Sequence, residues 1–278
     1  MSYINVGKEN STNVDIYYED HGKGKPVVLI HGWPLSQRSW EKQVPILMAA
    51  GYRVIAYDRR GFGDSSKPAL EYNYDIFADD LNKVLTKLNL RETTLVGFSM
   101  GGGEVARFLS KYGSERVSKA VFMAAIPPFL LKSADNQEGV DGSVFEGIKK
   151  AIVVDRPAFL TQFFSNFYNI DVLLGKRISE EVVRLSWNIG SGASPKGTLD
   201  CVSAWLTDFR EDLKHIDLPV LVLHGSADRI LPLHATAKRM PGFVKDAKLV
   251  VIDDAPHGMN WTHAEEINRE LLGFLEEK

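Results

Sequence analysis

The chain is 278 residues long, 44% hydrophobic and 25% charged, a balance typical of globular proteins with length enough for one domain, or one domain carrying an insertion, around a large core. A formal net charge of −3 without any basic cluster argues against nucleic acid or an acidic membrane surface as the main partner and leaves a small neutral or weakly charged ligand. Cys201 is the only cysteine, which excludes an intrachain disulfide and a cysteine-based metal site.

Residues 3–6 and 14–18 are short apolar or alternating runs on either side of the turn-rich KENSTN and predict a hairpin. HGKGKP then breaks the chain before the VVLI of residues 27–30, a continuous apolar run of the kind buried on both faces of a parallel sheet. The loop His31-Gly32-Trp33-Pro34 leads into a predicted helix over 39–49. Residues 53–57 read as a second buried strand, closed by DRRGFGDSSKP, and 74–88 place Ile76, Leu81, Val84, Leu85 and Leu88 at helical spacing. A strand at 94–96, a helical pattern carried by Val105, Phe108, Leu109 and Tyr112, and a strand over 119–125 follow. Strands alternating with helices predict an α/β fold with a mostly parallel central sheet and helices on both faces.

From Pro127 this rhythm stops. Residues 127–213 contain no run that reads as a buried strand, are interrupted by stretches such as GASPKG, and carry exposed-type aromatics at Phe163, Phe164, Phe167 and Tyr168. They predict an insertion of several short helices. The α/β pattern resumes at 219–224 and 248–252 and ends in a helix over 263–276. The expected division is a core of 1–126 and 214–278 with a helical insertion at 127–213. No apolar run reaches the length of a membrane span, and MSYINVGKEN lacks the charged start, apolar stretch and cleavage site of a signal peptide, so a cytoplasmic location is expected.

The chemistry gathers at Gly97-Phe98-Ser99-Met100-Gly101, where the strand gives way at once to the helix. A serine on such a sharp turn stands clear of the sheet edge in the G-x-S-x-G nucleophile elbow. The next residue's N–H lies at a helix N-terminus, where unpaired donors and the helix dipole favour a negative oxygen. A serine hydroxyl is a poor nucleophile without a base, and the base needs a third group to fix its tautomer. His257, in the turn Asp254-Ala255-Pro256-His257-Gly258 after a strand, is the candidate base. Asp228, in the loop after the 219–224 strand, is the candidate acid, and the order Ser99, Asp228, His257 is the one this kind of sheet uses. Asp253 and Asp254 are nearer to His257 in sequence but lead out of the strand into a proline turn.

The second oxyanion donor is expected from the loop after residues 27–30. Pro34 has no N–H, so the donor is Trp33, paired with the Met100 N–H; each aimed donor is worth about 3 kcal/mol in the transition state. His31 and His224, each followed by glycine, are read as braces for their loops, and Cys201 as a small buried residue. No H-E-x-x-H or similar ligand spacing is present, and GFSMGGGE lacks the glycine pair of a dinucleotide loop, so neither metal nor cofactor is expected.

Taken together, HGWP, DRRGFGDS, GFSMGGGEVARF, LHGSADRILP and APHG resemble the α/β-hydrolase superfamily over nearly the whole chain, and more narrowly its cofactor-free bacterial haloperoxidases, perhydrolases and arylesterases. The resemblance implies an α/β-hydrolase fold with a helical cap at 127–213, a triad of Ser99, Asp228 and His257, and an oxyanion hole from the Trp33 and Met100 backbone. It also implies an acyl-enzyme formed from a small ester or short carboxylic acid. Water resolves it by hydrolysis; hydrogen peroxide resolves it as a peracid that oxidises bromide or chloride. A homo-oligomer, often a trimer in such relatives, is implied as well. Pro34 is the position tied to peroxide use, since a proline can shift the preceding carbonyl toward the acyl site.

Substrate choice is expected to rest on the cap and on pocket side chains, with Pro34, Phe98, Phe129, Phe159 and Trp205 beside Trp33 as candidates. Carboxylesterase, lactonase or amidase activity without a peroxide role is the alternative, followed by a non-catalytic ligand-binding homologue. Haloalkane dehalogenases and epoxide hydrolases place an aspartate where this chain has Ser99.

Overall fold

The computed structural model describes residues 2–70 and 72–277. Among them, eight strands form one sheet: β1 (Ser2–Glu9), β2 (Thr12–Gly22), β3 (Pro26–Ile30), β4 (Arg53–Tyr57), β5 (Thr93–Phe98), β6 (Val117–Met123), β7 (Val220–Gly225) and β8 (Ala247–Ile252). Their spatial order is β1-β2-β4-β3-β5-β6-β7-β8. The hairpin β1–β2 is antiparallel and β2 runs antiparallel to β4, while every pairing from β4 onward is parallel. Ile30 pairs with Gly97, Phe98 with Met123, and Gly225 with Ile252. The loops that leave β3, β5, β7 and β8 therefore open on one edge, the carboxyl end where ligands of such sheets bind.

The continuous apolar strands are explained by a core on each face. Val28 and Ile30 point to one side with Ile55, Tyr57 and Leu95, against Phe77, Leu81 and Val84 of α2 (Tyr74–Lys87) and Val105 and Phe108 of α3 (Met100–Tyr112). Val27 and Leu29 point to the other with Val54, Ala56 and Val96, toward Leu47 of α1 (Val44–Ala49) and Ile267, Leu271 and Phe274 of the last helix. Period-two alternation puts neighbours on opposite faces, so a strand covered on both must be apolar throughout. Each such side chain contributes about 1.5–3 kcal/mol of burial. Helix starts follow local chemistry: the Asn73 side chain accepts the Ile76 N–H at 3.1 Å to open α2.

Five helices lie between β6 and β7: α4 (Gly142–Tyr168), α5 (Ile170–Leu173), α6 (Glu180–Ser191), α7 (Pro195–Ala204) and α8 (Arg210–Lys214). After β8 come α9 (Met259–Thr262) and α10 (Ala264–Glu276). Two expectations are corrected. The helix over 39–49 is a 3-10 turn at Gln37–Trp40 followed by the short α1, which starts with Pro45 in its first turn. The insertion's first helical stretch, Gly142–Tyr168, is broken at Asp155 (φ −158°, ψ 88°) into two helices. Asp155 caps the second half by accepting the Ala158 N–H at 3.0 Å, and Pro157 fits that half's first turn because it needs no donor there. The aromatics of that half are not exposed: Phe164, Phe167 and Tyr168 are fully buried in the second core. No helix among the described residues is long and apolar enough to cross a membrane.

Candidate active site

Ser99 sits between β5 and α3 at φ 54°, ψ −117°. A side-chain-bearing residue in that region costs about 1–3 kcal/mol and persists only where neighbours impose it. Here the Ser99 N–H donates to Met123 O at 2.9 Å, and its carbonyl accepts the Gly102 and Ile126 amides at 3.0 and 3.3 Å. Gly101 lets the first turn of α3 pass over β3, since a Cβ there would lie 2.4 Å from Ile30 O.

The acid and base arrive on adjacent loops that are laced together. Ser226 N–H donates to Ile252 O at 3.0 Å and Ala227 N–H to Ala255 O at 3.1 Å. Asp228 Oδ2 then accepts from His257 Nδ1 at 2.7 Å, and His257 Nε2 lies 2.9 Å from Ser99 Oγ. All three residues are buried. Asp228 Oδ1 accepts the Ile230 and Leu231 amides, each at 2.8 Å. Burial pushes the Asp228 carboxyl up, but the facing His257, its hydrogen bond, His224 and the Leu231 amide outweigh that and hold it below the ordinary carboxylate value. An ionised Asp228 keeps the proton on Nδ1 and leaves Nε2 free to accept from Ser99. Asp253 and Asp254 are exposed and bond to neither Ser99 nor His257 among the described residues.

The loop after β3 presses on this elbow: a Cβ at Gly32 would lie 2.9 Å from both the Phe98 ring and Ser99 Cβ. Trp33 and Met100 thus flank Ser99, and neither amide donates to another backbone carbonyl among the described loop and cap contacts. The Trp33–Pro34 peptide is cis. His31 braces the loop: its Nε2 accepts the Arg59 N–H at 2.9 Å, so Nδ1 carries the proton and donates to Gly32 O at 2.8 Å. Arg59 also donates to His31 O at 3.0 Å and pairs at 2.7 Å with Glu104 of α3, which accepts from Tyr57 as well. One buried ion pair therefore ties the β3 loop to the elbow helix.

A cavity of about 250 Å³ opens at Ser99. Its walls include Trp33, Phe159, Phe163, Trp205, Leu130 and Ile148, and among the described residues the polar side chains that enter are Ser99, Gln162, Asn166 and Arg229. Trp33 meets Trp205 edge-on at 4.9 Å and Phe163 at 5.0 Å between ring centroids, and donates Nε1–H to Thr198 O at 3.1 Å. Of the candidate pocket residues, Phe159 and Trp205 line this cavity and the others are placed elsewhere. The Phe98 ring lies behind His257, 5.2 Å from the imidazole. Pro34 sits over Gly190 of α6. Phe129 turns toward Arg210, whose guanidinium lies 5.0 Å from its ring. Strand and loop positions alternate in direction, which residue type alone does not reveal.

The contacts between α4 and the triad loops leave no periodic mark in the residue pattern. Phe167 packs edge-on against His257 at 5.0 Å, and its carbonyl accepts the Gly258 N–H at 2.8 Å. Asn169, in the left-handed region at φ 49°, donates to Ala227 O at 2.9 Å, and Arg229 pairs with Asp171 at 2.7 Å. The Asn at a helix end was the available signal, since Asn tolerates that conformation.

Residues 25–264 match the family model of the alpha/beta hydrolase fold. The chain is 63% identical over 276 residues to a Synechocystis sp. protein provisionally named non-heme chloroperoxidase, covering 99% of this chain and 100% of that one. It is 38% identical to a bifunctional esterase/perhydrolase of Acinetobacter calcoaceticus, over 99% of both chains. The crystal structure of a bromoperoxidase from Bacillus anthracis superposes with a TM-score of 0.96 at 49% identity, again over 99% of both. The chain belongs to the α/β-hydrolase fold family and, within it, to the non-haem haloperoxidases and perhydrolases.

Proposed function

We propose that this chain is a serine hydrolase that forms an acyl-enzyme on Ser99 from a small ester or short carboxylic acid, and that hydrogen peroxide competes with water to release it. The observation that carries the reading is the continuous relay from Asp228 Oδ2 through His257 to Ser99 Oγ, with contacts of 2.7 and 2.9 Å. In the proposed reaction, Ser99 Oγ attacks the carbonyl carbon as its proton passes to His257 Nε2. Asp228 keeps the imidazolium oriented and stabilised without taking its proton. The Trp33 and Met100 amides receive the developing oxyanion. Collapse expels the alcohol, or water from an acid, with the proton from Nε2. Water or peroxide then gives a proton to Nε2 and attacks the acyl carbon; the bond from that carbon to Ser99 Oγ breaks as Oγ takes the proton back from Nε2, releasing a carboxylic acid or a peracid. The peracid passes one oxygen to bromide or chloride, yielding carboxylate and hypohalous acid.

The apolar cavity supports a substrate whose body is uncharged or aromatic. Residues 127–213 serve as the cap in this proposal, contributing Phe159, Phe163 and Trp205 to the wall beside Ser99. A homo-oligomer and a cytoplasmic location belong to the same proposal, checked by light scattering and cell fractionation. The deciding experiment assays a short aryl ester with and without peroxide, then bromination of monochlorodimedone in acetate buffer, for wild type and Ser99→Ala. All three activities disappear with Ser99 on this reading. Bromination that survives Ser99→Ala overturns the peracid route, and ester turnover unaffected by peroxide leaves a plain carboxylesterase.

A further inference from the structure

His224 is fully buried near the carboxyl end of strand β7 and has no part in the proton relay. Its Nε2 lies 2.8 Å from Leu231 O, an oxygen that can only accept, so Nε2 carries the proton. The same nitrogen lies 3.3 Å from Asp228 Oδ2, the oxygen that holds His257. Leu231 in turn donates its N–H to Asp228 Oδ1 at 2.8 Å. His224 thus fixes the far end of the turn that cradles one carboxylate oxygen and sets a polarised N–H edge against the other. His224 Nδ1 is buried without a hydrogen-bond partner among the described residues. A proton there would have no acceptor, so the ring stays neutral; burial pushes its pKa below the ordinary value in the same sense.

We propose that His224 is a positioning residue for the reaction: a permanently neutral second imidazole that holds Asp228 in the rotamer that receives His257 Nδ1. This rests on the triad reading above. A purely structural histidine in a core needs no carboxylate at 3.3 Å, and a leucine would fill the same space without orphaning Nδ1. The titratable groups facing the carboxylate are His224 from its own strand and His257 from the loop after β8.

The test uses His224→Gln, whose amide can still donate to Leu231 O, and His224→Leu, which cannot. His224→Leu is expected to lower kcat for an aryl ester about 10- to 100-fold, the scale of a displaced catalytic group, with KM little changed. The acid limb of its kcat/KM profile moves to higher pH, because a donor that tempered the Asp228 charge is gone. His224→Gln recovers most of kcat and the wild-type profile. Equal kcat and an unmoved acid limb in His224→Leu overturn the inference. Where His224→Leu does not fold, nitrogen NMR of histidine-labelled wild type decides: an Nε2–H tautomer held from pH 5 to 9 supports the role, and an Nδ1–H tautomer overturns it. Ser99→Ala run alongside separates the two claims. If it stays active the triad reading itself fails, whereas the outcome for His224 bears on positioning alone.

Discussion

Gly101 shows how little freedom the elbow has. The missing side chain is replaced by the Ile30 carbonyl, 2.4 Å from where a Cβ would stand. Gly101→Ala must push α3 or β3 aside, at about 1–3 kcal/mol, and with it the Met100 amide. The expectation is a lowered urea midpoint together with a fall in kcat larger than the stability loss explains; an active, wild-type-stable Gly101→Ala contradicts this packing. For Asp228→Asn, the carboxylate that fixes the Nδ1–H tautomer is lost, and kcat should fall about 10⁴-fold with thermal stability nearly kept. Less than a tenfold loss in a steady-state ester assay would remove Asp228 from the relay. The three relay positions were legible because turn chemistry and chain order mark them: a serine between glycines, and His257 and Asp228 each just past a strand. The wall of the cavity was legible only in part. Phe159 and Phe129 look alike in sequence, yet one faces Ser99 and the other stacks under Arg210.

Between elements, the ion pair of Arg59 with Glu104 connects the strand β4 loop to α3 with both side chains almost fully buried. Removing one partner strands the other's charge, so Glu104→Leu is expected to cost about 3–5 kcal/mol in chemical denaturation; a loss below 1 kcal/mol would show that the charge finds another partner. His31 adds a pH dependence. Burial first, and the Arg59 charge second, push its pKa well below 6.5. As pH falls below 6.5, the unfolded chain takes up a proton that the folded chain refuses, so the stability contributed by neutral His31 is full above that pH and lost below it. Asp58, pushed up to about 6 chiefly by burial, acts in the opposite sense. The difference between wild type and His31→Asn isolates the histidine: the wild type should lose ground toward pH 5 by up to about 1.4 kcal/mol per pH unit, and a pH-independent difference would contradict a neutral His31. Strand elements were legible in VVLI at 27–30 and in RVIAY at 53–57 from composition. The division of α4 was harder to read, because the Asp155–Pro157 start signal lies inside a run that is apolar on several sides.

At the scale of the molecule, the parallel register brings four strand ends to one edge, and the insertion closes over that edge. The insertion is not simply laid on top. Asn169 and Asp171 hold the Asp228 loop, and the Phe167 carbonyl holds Gly258 beside His257. Asn169→Gly keeps the left-handed backbone while deleting the link to Ala227. The expected result is a several-fold lower kcat with the ester-binding cavity intact, read as a kcat loss without a matching rise in KM. Such tertiary contacts join residues distant in sequence and leave no periodicity to read, which is why the lacing of insertion to triad was not visible beforehand.

In the proposed reaction the Ser99 hydroxyl becomes the covalent nucleophile because His257 takes its proton. Treating wild type and His257→Ala with a fluorophosphonate and locating the adduct by peptide mass measures this directly. One adduct is expected, on Ser99, formed at least about 10³-fold more slowly without the imidazole. An adduct on another residue, or Ser99 labelled at the same rate in His257→Ala, would contradict it.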